Sequence, residues 1–329
     1  MQRILIIQTA FIGDVILATS VIEKLHNYYP NTQIDFVLRK GNEGLLIHHP
    51  YIKNIFIWDK KQKKIKNLFV LIKQIRSRNY DYVINLHRFA SSGFITAFSG
   101  AKNKIGFDKN PLSFLFTERI KHVITRDTQT VFLHEVQRNQ QLIEAITDKE
   151  FAKPKLYPSA LDYEAVKKYQ TIPYVCIAPT SVWFTKQFPI EKWVELCNTI
   201  QNDITIYLLG APSDAEACEW IKNNSSSKKI TNLAGKLSFL ESAALIRDAA
   251  MNYVNDSAPM HIASAMNAPI TAIFCSTVPS FGFGPLSDNS KIVETRITLN
   301  CRPCGLHGHT SCPEGHFKCA FSIDIKNII

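Results

Sequence analysis

The chain has 329 residues, more than one hydrophobic core usually supports, so two domains of about 150 residues each are expected. Its 46% hydrophobic and 20% charged residues are typical of a globular protein and exclude an intrinsically disordered chain. Lys and Arg outnumber Asp and Glu by 38 to 28, and the net charge of +10 favours anionic partners, whether nucleic acid, a phospholipid surface or a phosphorylated substrate.

Neither a signal peptide nor a membrane-spanning segment is expected. The N-terminus leads directly into the short apolar run 4–7, and no stretch approaches the roughly 18 uncharged apolar residues that a span needs. We therefore expect a cytoplasmic protein. Residues 60–66 (KKQKKIK) are typical of a solvated loop that enters a helix, and a patch for a membrane surface or nucleic acid is the alternative.

Short β-branched runs alternate with helical patterns along the whole chain. The first half predicts strands at 4–7, 34–38, 55–58 and 83–86 and helices at 15–28, 68–76 and about 134–146. The second half predicts strands at 174–178, 205–209, 253–255 and 270–274 and helices at 190–200, 214–222, 239–249 and 259–266. Such alternation predicts an α/β protein with two doubly wound, Rossmann-like parallel sheets.

A polar, proline-bearing segment at 153–158 separates the two halves, so we place domains at 1–155 and 156–329. Doubly wound sheets bind ligands outside the carboxyl ends of their strands. We therefore expect one substrate on each domain and the chemistry in a cleft between them.

The loop after the first strand, residues 8–14 (QTAFIGD), ends at Asp14, where the next helix is expected to begin. A helix N-terminus would stabilise the charge of this carboxylate. A plain helix cap and a catalytic base are both compatible with that position. The loop has a single glycine where a dinucleotide-binding fingerprint needs G-x-G-x-x-G, so an NAD enzyme is not expected.

Two loops of the second half could bind phosphate. Residues 179–189 (PTSVWFTKQFP) place the hydroxyls of Thr180 and Ser181 and the ammonium group of Lys186 after a strand, although a polar loop with a solvent-facing lysine is an alternative. Residues 256–261 (DSAPMH) follow another strand, and Pro259 suits the first turn of a helix. The free N–H groups of that helix would bind an anion.

Four side chains of this second loop have predicted roles. Ser257 or Ala258 caps the helix, and both are small enough to let the backbone approach a phosphate. Asp256 could accept hydrogen bonds from sugar or ribose hydroxyls. His261, one turn into the helix, is either a ligand contact or a core histidine under the loop.

In their order along the chain these motifs resemble glycosyltransferase family 9, the ADP-heptose:lipopolysaccharide heptosyltransferase family. The resemblance covers essentially the whole chain and rests on Gly13-Asp14, the Pro-Thr-Ser loop with Lys186, Trp193, the turn 233–236 (LAGK), the loop 255–261 (NDSAPMH) and Gly284-Pro285. It implies the GT-B fold, with two Rossmann-like domains facing a central cleft. It also implies an inverting transfer without a catalytic metal or other cofactor, of a heptose from ADP-heptose onto a lipopolysaccharide core.

The resemblance also implies roles for single residues. Asp14 matches the general base, while Thr180, Ser181 and Lys186 match the donor's phosphate-binding groups. Asp256 with the backbone of Ser257 and Ala258 matches the loop that holds the donor, and His261 belongs to the same loop. The first domain would bind the acceptor and the second the nucleotide sugar.

The acceptor implied by this resemblance is anionic and membrane-anchored, so peripheral binding to the inner face of the cytoplasmic membrane is expected and binding of nucleic acid is not. Arg88, Arg119, Lys121 and the run 60–66 would be its electrostatic contacts.

Two features depart from the family pattern. Ala258 stands where the family usually has glycine, and the loop 210–214 (GAPSD) has no clear counterpart to the acidic residue that some members place on the donor nucleoside. Asp214 or Glu216 could substitute for it. A GT-B transferase for another nucleotide sugar or acceptor therefore remains an alternative.

The eight cysteines form two groups. Cys176, Cys197, Cys218 and Cys275 are scattered through apolar segments and are predicted to be reduced core residues. The other four, Cys301, Cys304, Cys312 and Cys319, lie with three histidines near the C-terminus, and their C-x2-C opening suggests a structural zinc site. Six residues separate the distal pair, more than in compact zinc modules, so reduced thiols that order the tail are the alternative.

The same cysteines and the net charge motivate a rival interpretation, a nucleic-acid-binding protein. The sequence contains no recognition motif that would support it.

Overall fold

The computed structural model describes residues 3–124, 132–170 and 172–329, which divide into two units. The first unit contains the described residues up to Ile124 together with Leu133–Tyr157, and the second contains Phe132 and the described residues of Pro158–Ile329. Each unit is built around one parallel sheet.

The first unit alternates strands and helices. Its elements are β1 (Arg3–Ile7), α1 (Ile12–Tyr28), β2 (Gln33–Arg39), β3 (Ile52–Trp58), α2 (Lys64–Arg76), β4 (Tyr82–Asn85), α3 (Ala90–Phe98), β5 (Asn103–Phe107), β6 (Glu118–Ile120) and α4 (Glu135–Gln141). The six strands pair in the order β3-β2-β1-β4-β5-β6, and all pairs are parallel. This is the strand order of the Rossmann fold. The first three strands are added towards one edge of the sheet and the next three towards the other, so the strand order reverses between β1 and β4.

The second unit repeats the arrangement. Its elements are α5 (Ala160–Val166), β7 (Tyr174–Ala178), α6 (Ile190–Thr199), β8 (Thr205–Leu208), α7 (Ala215–Asn224), β9 (Ile230–Asn232), α8 (Phe239–Arg247), β10 (Met251–Asn255), α9 (Ala258–Ala265), β11 (Ile270–Phe274), β12 (Ser290–Glu294) and α10 (Lys318–Phe321). The strand order is β12-β11-β10-β7-β8-β9, again fully parallel, with the reversal between β7 and β10.

Buried apolar side chains hold each sheet against its helices. In the first unit Leu5, Val37 and Val83 of the sheet pack with Leu71 and Ile75 of α2. The hydrophobic effect provides about 1.5–3 kcal/mol for each fully buried side chain of this size.

In the second unit Val175 and Ile177 of β7 pack with Trp193 of α6, whose ring meets the edge of Phe188 at a centroid distance of 5.4 Å. The predicted fold class is confirmed: the chain is an α/β protein with two Rossmann-like sheets. Within the described residues no helix combines the length and apolar character needed to cross a membrane.

The structure differs from the sequence-based prediction at several elements. The single helix predicted at 134–146 is wrong, because α4 ends at Gln141 and a 3₁₀ turn follows at Glu144–Ile146. The N–H of Ile143 bonds the carbonyl of Gln140, three residues back, which tightens the chain out of the α-helix. Strands β5, β6, β9 and β12 and helices α3, α5 and α10 were not predicted.

Candidate functional site

The polar loops of the second unit meet at the point where its strand order reverses. Neighbouring strands β7 and β10 are parallel, so their carboxyl ends lie at the same edge of the sheet. β7 leads into the loop that carries Lys186, and β10 leads into Asp256. In doubly wound sheets this reversal point is the usual place for a ligand.

Asn255, the last residue of β10, fixes both ends of the loop between β7 and α6. Its side chain is fully buried, its Nδ2 donates to the carbonyl of Pro179 at 2.8 Å, and its Oδ1 accepts from the N–H of Phe188 at 2.9 Å. Within the loop, Gln187 Nε2 donates to the carbonyl of Ser181 at 2.7 Å. These bonds hold the segment that contains Thr180, Ser181 and Lys186, and the first two side chains are half-buried.

Lys186 and Asp256 form an ion pair across the two loops. The Nζ–Oδ2 distance is 2.7 Å, and the side chains are 16% and 6% exposed. Thr277 Oγ1 donates to the same carboxylate oxygen at 2.7 Å. The ammonium group has three donors, so the pair with Asp256 leaves further N–H groups that can bind an anion. The sequence predicted both residues at this site but not their pairing.

Helix α9 begins directly after Asp256. Ser257 is its N-cap, Ala258 its first residue, and Pro259 lies in the first turn, as predicted. The Ser257 hydroxyl does not cap the helix but contacts the carbonyl of Asn255 at 3.4 Å. The first N–H groups of a helix lack intrahelical partners, so they present partial positive charge beside Lys186.

His261 is buried on α9, with 6% of its surface exposed. This burial agrees with the core histidine that was one of its two predicted roles.

Asp214, the predicted substitute for a nucleoside-binding carboxylate, is engaged within its own loop. Its Oδ2 accepts from the N–H of Ala211 at 2.7 Å and so caps the 3₁₀ turn Pro212–Asp214. Glu216 is exposed.

Asp14 lies in the first turn of α1, which begins at Ile12 and not at Asp14. Its Oδ2 accepts from the N–H of Phe11 at 3.2 Å, and the side chain is half-buried. Burial, and after it the charge of Glu135, raises the pKa of Asp14 from 3.8 to about 6, against the opposing effects of the Phe11 N–H and Arg88.

The backbone N–H groups of Phe11 and Asp14 at this helix N-terminus do lower the pKa of Asp14, as predicted, but they do not set its net direction. Loss of solvent outweighs the bonds from backbone N–H groups. At neutral pH the carboxylate is still mostly ionised, and it is a stronger base than an ordinary aspartate.

Next to this turn, the strands β1 and β4 place a buried polar contact at the reversal point of the first sheet. Thr9 Oγ1 lies 3.0 Å from His87 Nδ1, and Lys60 Nζ donates to the carbonyl of Thr9 at 2.7 Å. Burial, with the nearby charges of Lys60 and Arg88, lowers the pKa of His87 to about 3. The histidine is thus a neutral group in this contact.

A basic pocket of about 560 Å³ opens beside the first turn of α1. Its lining residues are Ile12, Arg39, Lys40, Gly41, Asn42, Asp59, Lys60, Lys61 and Gln62. Asp59 is paired with Lys40 at 3.0 Å, so the lining carries an excess of positive charge. Burial, and after it the charges of Arg39 and Lys64, lowers the pKa of Lys60 to about 8.

Lys60 and Lys61 of this pocket belong to the run singled out from the sequence, whereas Arg39 and Lys40 were missed. Arg39 ends β2 and its guanidinium lies 4.7 Å from the ring centroid of Phe11. Only the parallel pairing of β2 with β1 and β3 brings it to the same edge as Lys60. Lysines 61, 63, 64 and 66 are exposed, as expected for a solvated segment at the start of α2.

The C-terminal cysteines do not form a metal-ligand set in the described part of the chain, where no group of three or more His, Cys, Asp or Glu residues could hold a metal ion. Cys301 Sγ lies 3.9 Å from His316 Nε2, and Cys319 is buried in the core of the second unit. All eight cysteines carry free thiols, and the four scattered ones are buried, as predicted.

The fold and these loops define a class of protein. Two Rossmann-like units, with a lysine, hydroxyls and a helix N-terminus at the reversal point of the second sheet, are typical of the GT-B fold.

Comparison with known proteins gives the family. The sequence model of glycosyltransferase family 9 (heptosyltransferase) matches residues 68–313. The lipopolysaccharide heptosyltransferase 3 of Escherichia coli K12 is 31% identical over 287 residues, which cover 80% of each chain. The chain belongs to glycosyltransferase family 9 and is a glycosyltransferase. This membership favours the transferase over the nucleic-acid-binding interpretation.

Solved structures agree on the fold. A family 9 glycosyltransferase from Veillonella parvula has a TM-score of 0.80 at 21% identity, covering 89% of this chain and 86% of its own. The E. coli ADP-heptose lps heptosyltransferase II has a TM-score of 0.77 at 21% identity, covering 92% of this chain and 96% of its own. At this identity the likeness establishes the GT-B fold.

Proposed function

We propose that this glycosyltransferase moves a heptose from ADP-heptose onto an anionic, lipopolysaccharide-type core acceptor. The proposal is supported by the E. coli relative that is named a lipopolysaccharide heptosyltransferase. The observation that carries it is the Lys186–Asp256 ion pair at the start of α9, because it places a fixed cation beside free helix N–H groups. That combination suits a nucleoside diphosphate.

In this proposal the second unit binds the donor. Lys186 and the hydroxyls of Thr180 and Ser181 bind the diphosphate, and the N–H groups of Ser257 and Ala258 contribute from α9. Asp256 holds Lys186 through Oδ2, which leaves Oδ1 to accept a hydrogen bond from a sugar hydroxyl. His261 supports the loop from beneath.

The first unit binds the acceptor and supplies the base. Asp14 takes the proton of the acceptor hydroxyl as its oxygen forms a bond to the anomeric carbon of the heptose. The bond from that carbon to the diphosphate oxygen breaks in the same displacement, so the anomeric configuration inverts. Lys186 and the N-terminus of α9 stabilise the charge on the departing ADP. This assigns the stabilisation of the leaving group to protein groups, without a catalytic metal.

The basic pocket beside α1 provides the first unit's site for the acceptor. Phosphate or carboxylate groups of a lipopolysaccharide core would bind Arg39, Lys60 and Lys61, which line one pocket. Such an acceptor is anchored in a membrane, so we also propose peripheral binding at the cytoplasmic face. Each exposed Lys or Arg near an anionic surface contributes about 1 kcal/mol, and the exposed lysines of segment 61–66 are suited to that role.

A second candidate is a GT-B transferase that uses a different nucleotide sugar. Two observations favour it: Ala258 begins α9 where the family usually has glycine, and Asp214 is occupied in capping its own loop. A panel of nucleotide sugars separates the two candidates, because only a true ligand of the folded state raises the thermal midpoint.

The experiment that tests the proposal combines donor and acceptor. The chain is incubated with ADP-heptose and a phosphorylated lipopolysaccharide core, and ADP release and product mass are measured. Transfer that is lost in Asp14→Ala and in Lys186→Ala supports the proposal. Full transfer rates in either variant would refute the assigned mechanism.

A further inference from the structure

The segment between β12 and α10 runs along the carboxyl edge of the second sheet. We call residues 301–309 the C-terminal strap. Arg302 holds the turn that follows β11: its Nε donates to the carbonyl of Cys275 at 2.8 Å and its Nη2 to that of Thr277 at 2.7 Å. The N–H of Cys304 donates to the carbonyl of Ser276 at 2.8 Å. The strap is thus bonded to three consecutive residues of this turn.

The turn held by Arg302 reaches the candidate donor site directly. Thr277, which is 1% exposed, donates from Oγ1 to Asp256 Oδ2 at 2.7 Å. The same carboxylate oxygen is the one that pairs with Lys186. A shift of the turn would therefore move the acceptor of the lysine's hydrogen bond.

A second connection runs through Thr185, the residue before the lysine. Thr185 is 1% exposed. Its Oγ1 accepts hydrogen bonds from the N–H of His309 at 2.8 Å and from Ser276 Oγ at 3.0 Å. Its own N–H donates to the carbonyl of His309 at 3.1 Å. The strap and the lysine loop thus bond each other in both directions. The loop is fixed at its ends by Asn255 and near its middle by the strap.

Gly308 makes the closest approach of the strap to the lysine. It has a φ of +78°, and a Cβ added there would lie 2.8 Å from Thr185 Oγ1 and 3.1 Å from Lys186 Cγ. The first distance is shorter than real Cβ contacts, so any side chain would displace the threonine or the strap. The position therefore requires glycine both for its backbone conformation and for the space.

We propose that the C-terminal strap positions the donor-binding groups, with Arg302, Gly308 and Thr185 as positioning residues for Lys186 and Asp256. The inference rests on the proposed function, because it assigns the strap to the site of the departing diphosphate. Through the turn after β11 the strap is bonded to Asp256, and through Thr185 it is bonded to the loop that carries Lys186. Displacement of a positioned group by about 1 Å can cost on the order of 100-fold in rate.

The test compares matched variants of the full chain. Gly308→Ala places a methyl group against the lysine loop, whereas Gly315→Ala introduces the same unfavourable backbone conformation, at φ +69°, with nothing within 4 Å of the new Cβ. Thr185→Val removes the hydroxyl that joins strap and loop, and Thr185→Ser keeps it. ADP affinity by calorimetry, kcat and KM for ADP-heptose, and the thermal midpoint are measured for each.

We expect Gly308→Ala and Thr185→Val to weaken ADP binding and to lower kcat by about 10- to 100-fold. Gly315→Ala and Thr185→Ser should stay within about threefold of the unsubstituted chain. The thermal midpoint of Gly308→Ala should lie below that of Gly315→Ala, because only its new Cβ meets Thr185. If Gly308→Ala does not fold, the two Thr185 variants decide the question.

Equal ADP affinity and kcat within each matched pair would overturn the strap inference and leave the proposed function intact. The affinity of the unsubstituted chain for ADP separates the strap inference from the proposed function. If the unsubstituted chain binds no ADP, the proposed function fails, and the inference that depends on it fails as well.

Discussion

The raised pKa of Asp14 predicts a pH dependence of transfer that an ordinary aspartate would not give. With a pKa of about 6, roughly nine in ten Asp14 carboxyls are ionised at pH 7 and about one in ten at pH 5. If Asp14 is the base, kcat/KM should fall about tenfold between these pH values. An aspartate with its usual pKa near 3.8 would lose less than about a tenth of its ionised fraction over the same range.

The assay is initial ADP release at limiting acceptor from pH 5 to 8. Phosphate monoesters on the acceptor also titrate near pH 6, so Glu135→Gln serves to identify the group. Removal of the Glu135 charge removes one cause of the raised pKa, and the acidic limb of the profile should move to lower pH. A profile that is flat down to pH 5, or one that Glu135→Gln leaves in place, would refute the assignment of the limb to Asp14.

The same pKa has a consequence for stability, with a definite sign. A carboxyl whose folded-state pKa is raised destabilises the folded state when it is ionised, so the cost is present above about pH 6 and disappears below pH 3.8. A change of the pKa from 3.8 to about 6 corresponds to at most about 3 kcal/mol. Asp14→Asn should therefore raise the thermal midpoint at pH 8 and have little effect on it at pH 4, as calorimetry at the two pH values would show.

Further predictions follow from the other contacts. Lys186→Met should lower kcat by about 100- to 1,000-fold, because it removes charge stabilisation of the leaving group. The control Lys192→Met, which breaks a surface pair with Glu195, should leave kcat unchanged. Steady-state transfer rates of the two variants test this prediction. Asn255→Ala should lower the free energy of unfolding by about 2–5 kcal/mol, because it leaves the buried N–H of Phe188 and the buried carbonyl of Pro179 without their partner. The control Asn224→Ala, at an exposed position, should leave the free energy of unfolding unchanged. Urea melts followed by far-UV circular dichroism test this. Arg39→Gln should raise KM for a phosphorylated acceptor severalfold and reduce its dependence on salt, and an unchanged salt dependence would remove the pocket from the acceptor site. Treatment with a strong chelator should leave the transfer rate unchanged if no metal takes part, and loss of activity that added metal restores would contradict that part of the mechanism.

Much of the fold was predictable because its central strands are continuous apolar runs. β1, β7, β10 and β11 are buried on both faces, and their β-branched residues mark them in the sequence. The edge strands lack that signal. β6 and β9 have three residues each, and β12 is largely exposed. β5 contains a lysine and a glycine, and only its pairing with β4 shows that it is a strand.

The candidate site was predictable as far as it lies in loops next to strands. Asp14, Lys186 and Asp256 follow three buried strands, so the strand pattern located them. The ion pair, the contact of Thr277 with Asp256 and the bonds of Arg302 depend on residues far apart in sequence. No local pattern encodes such contacts. The sign of the Asp14 pKa shift was also beyond local sequence, because it depends on burial and on a carboxylate more than a hundred residues away.

The most direct test of the account is the mass of the product formed from ADP-heptose and a phosphorylated lipopolysaccharide core. We predict that the acceptor gains the mass of one heptose residue, that ADP is released in equal amount, and that Asp14→Ala and Lys186→Ala lose the product while remaining folded. An acceptor of unchanged mass across a panel of nucleotide sugars, or product formation that both variants retain, would contradict the central claim.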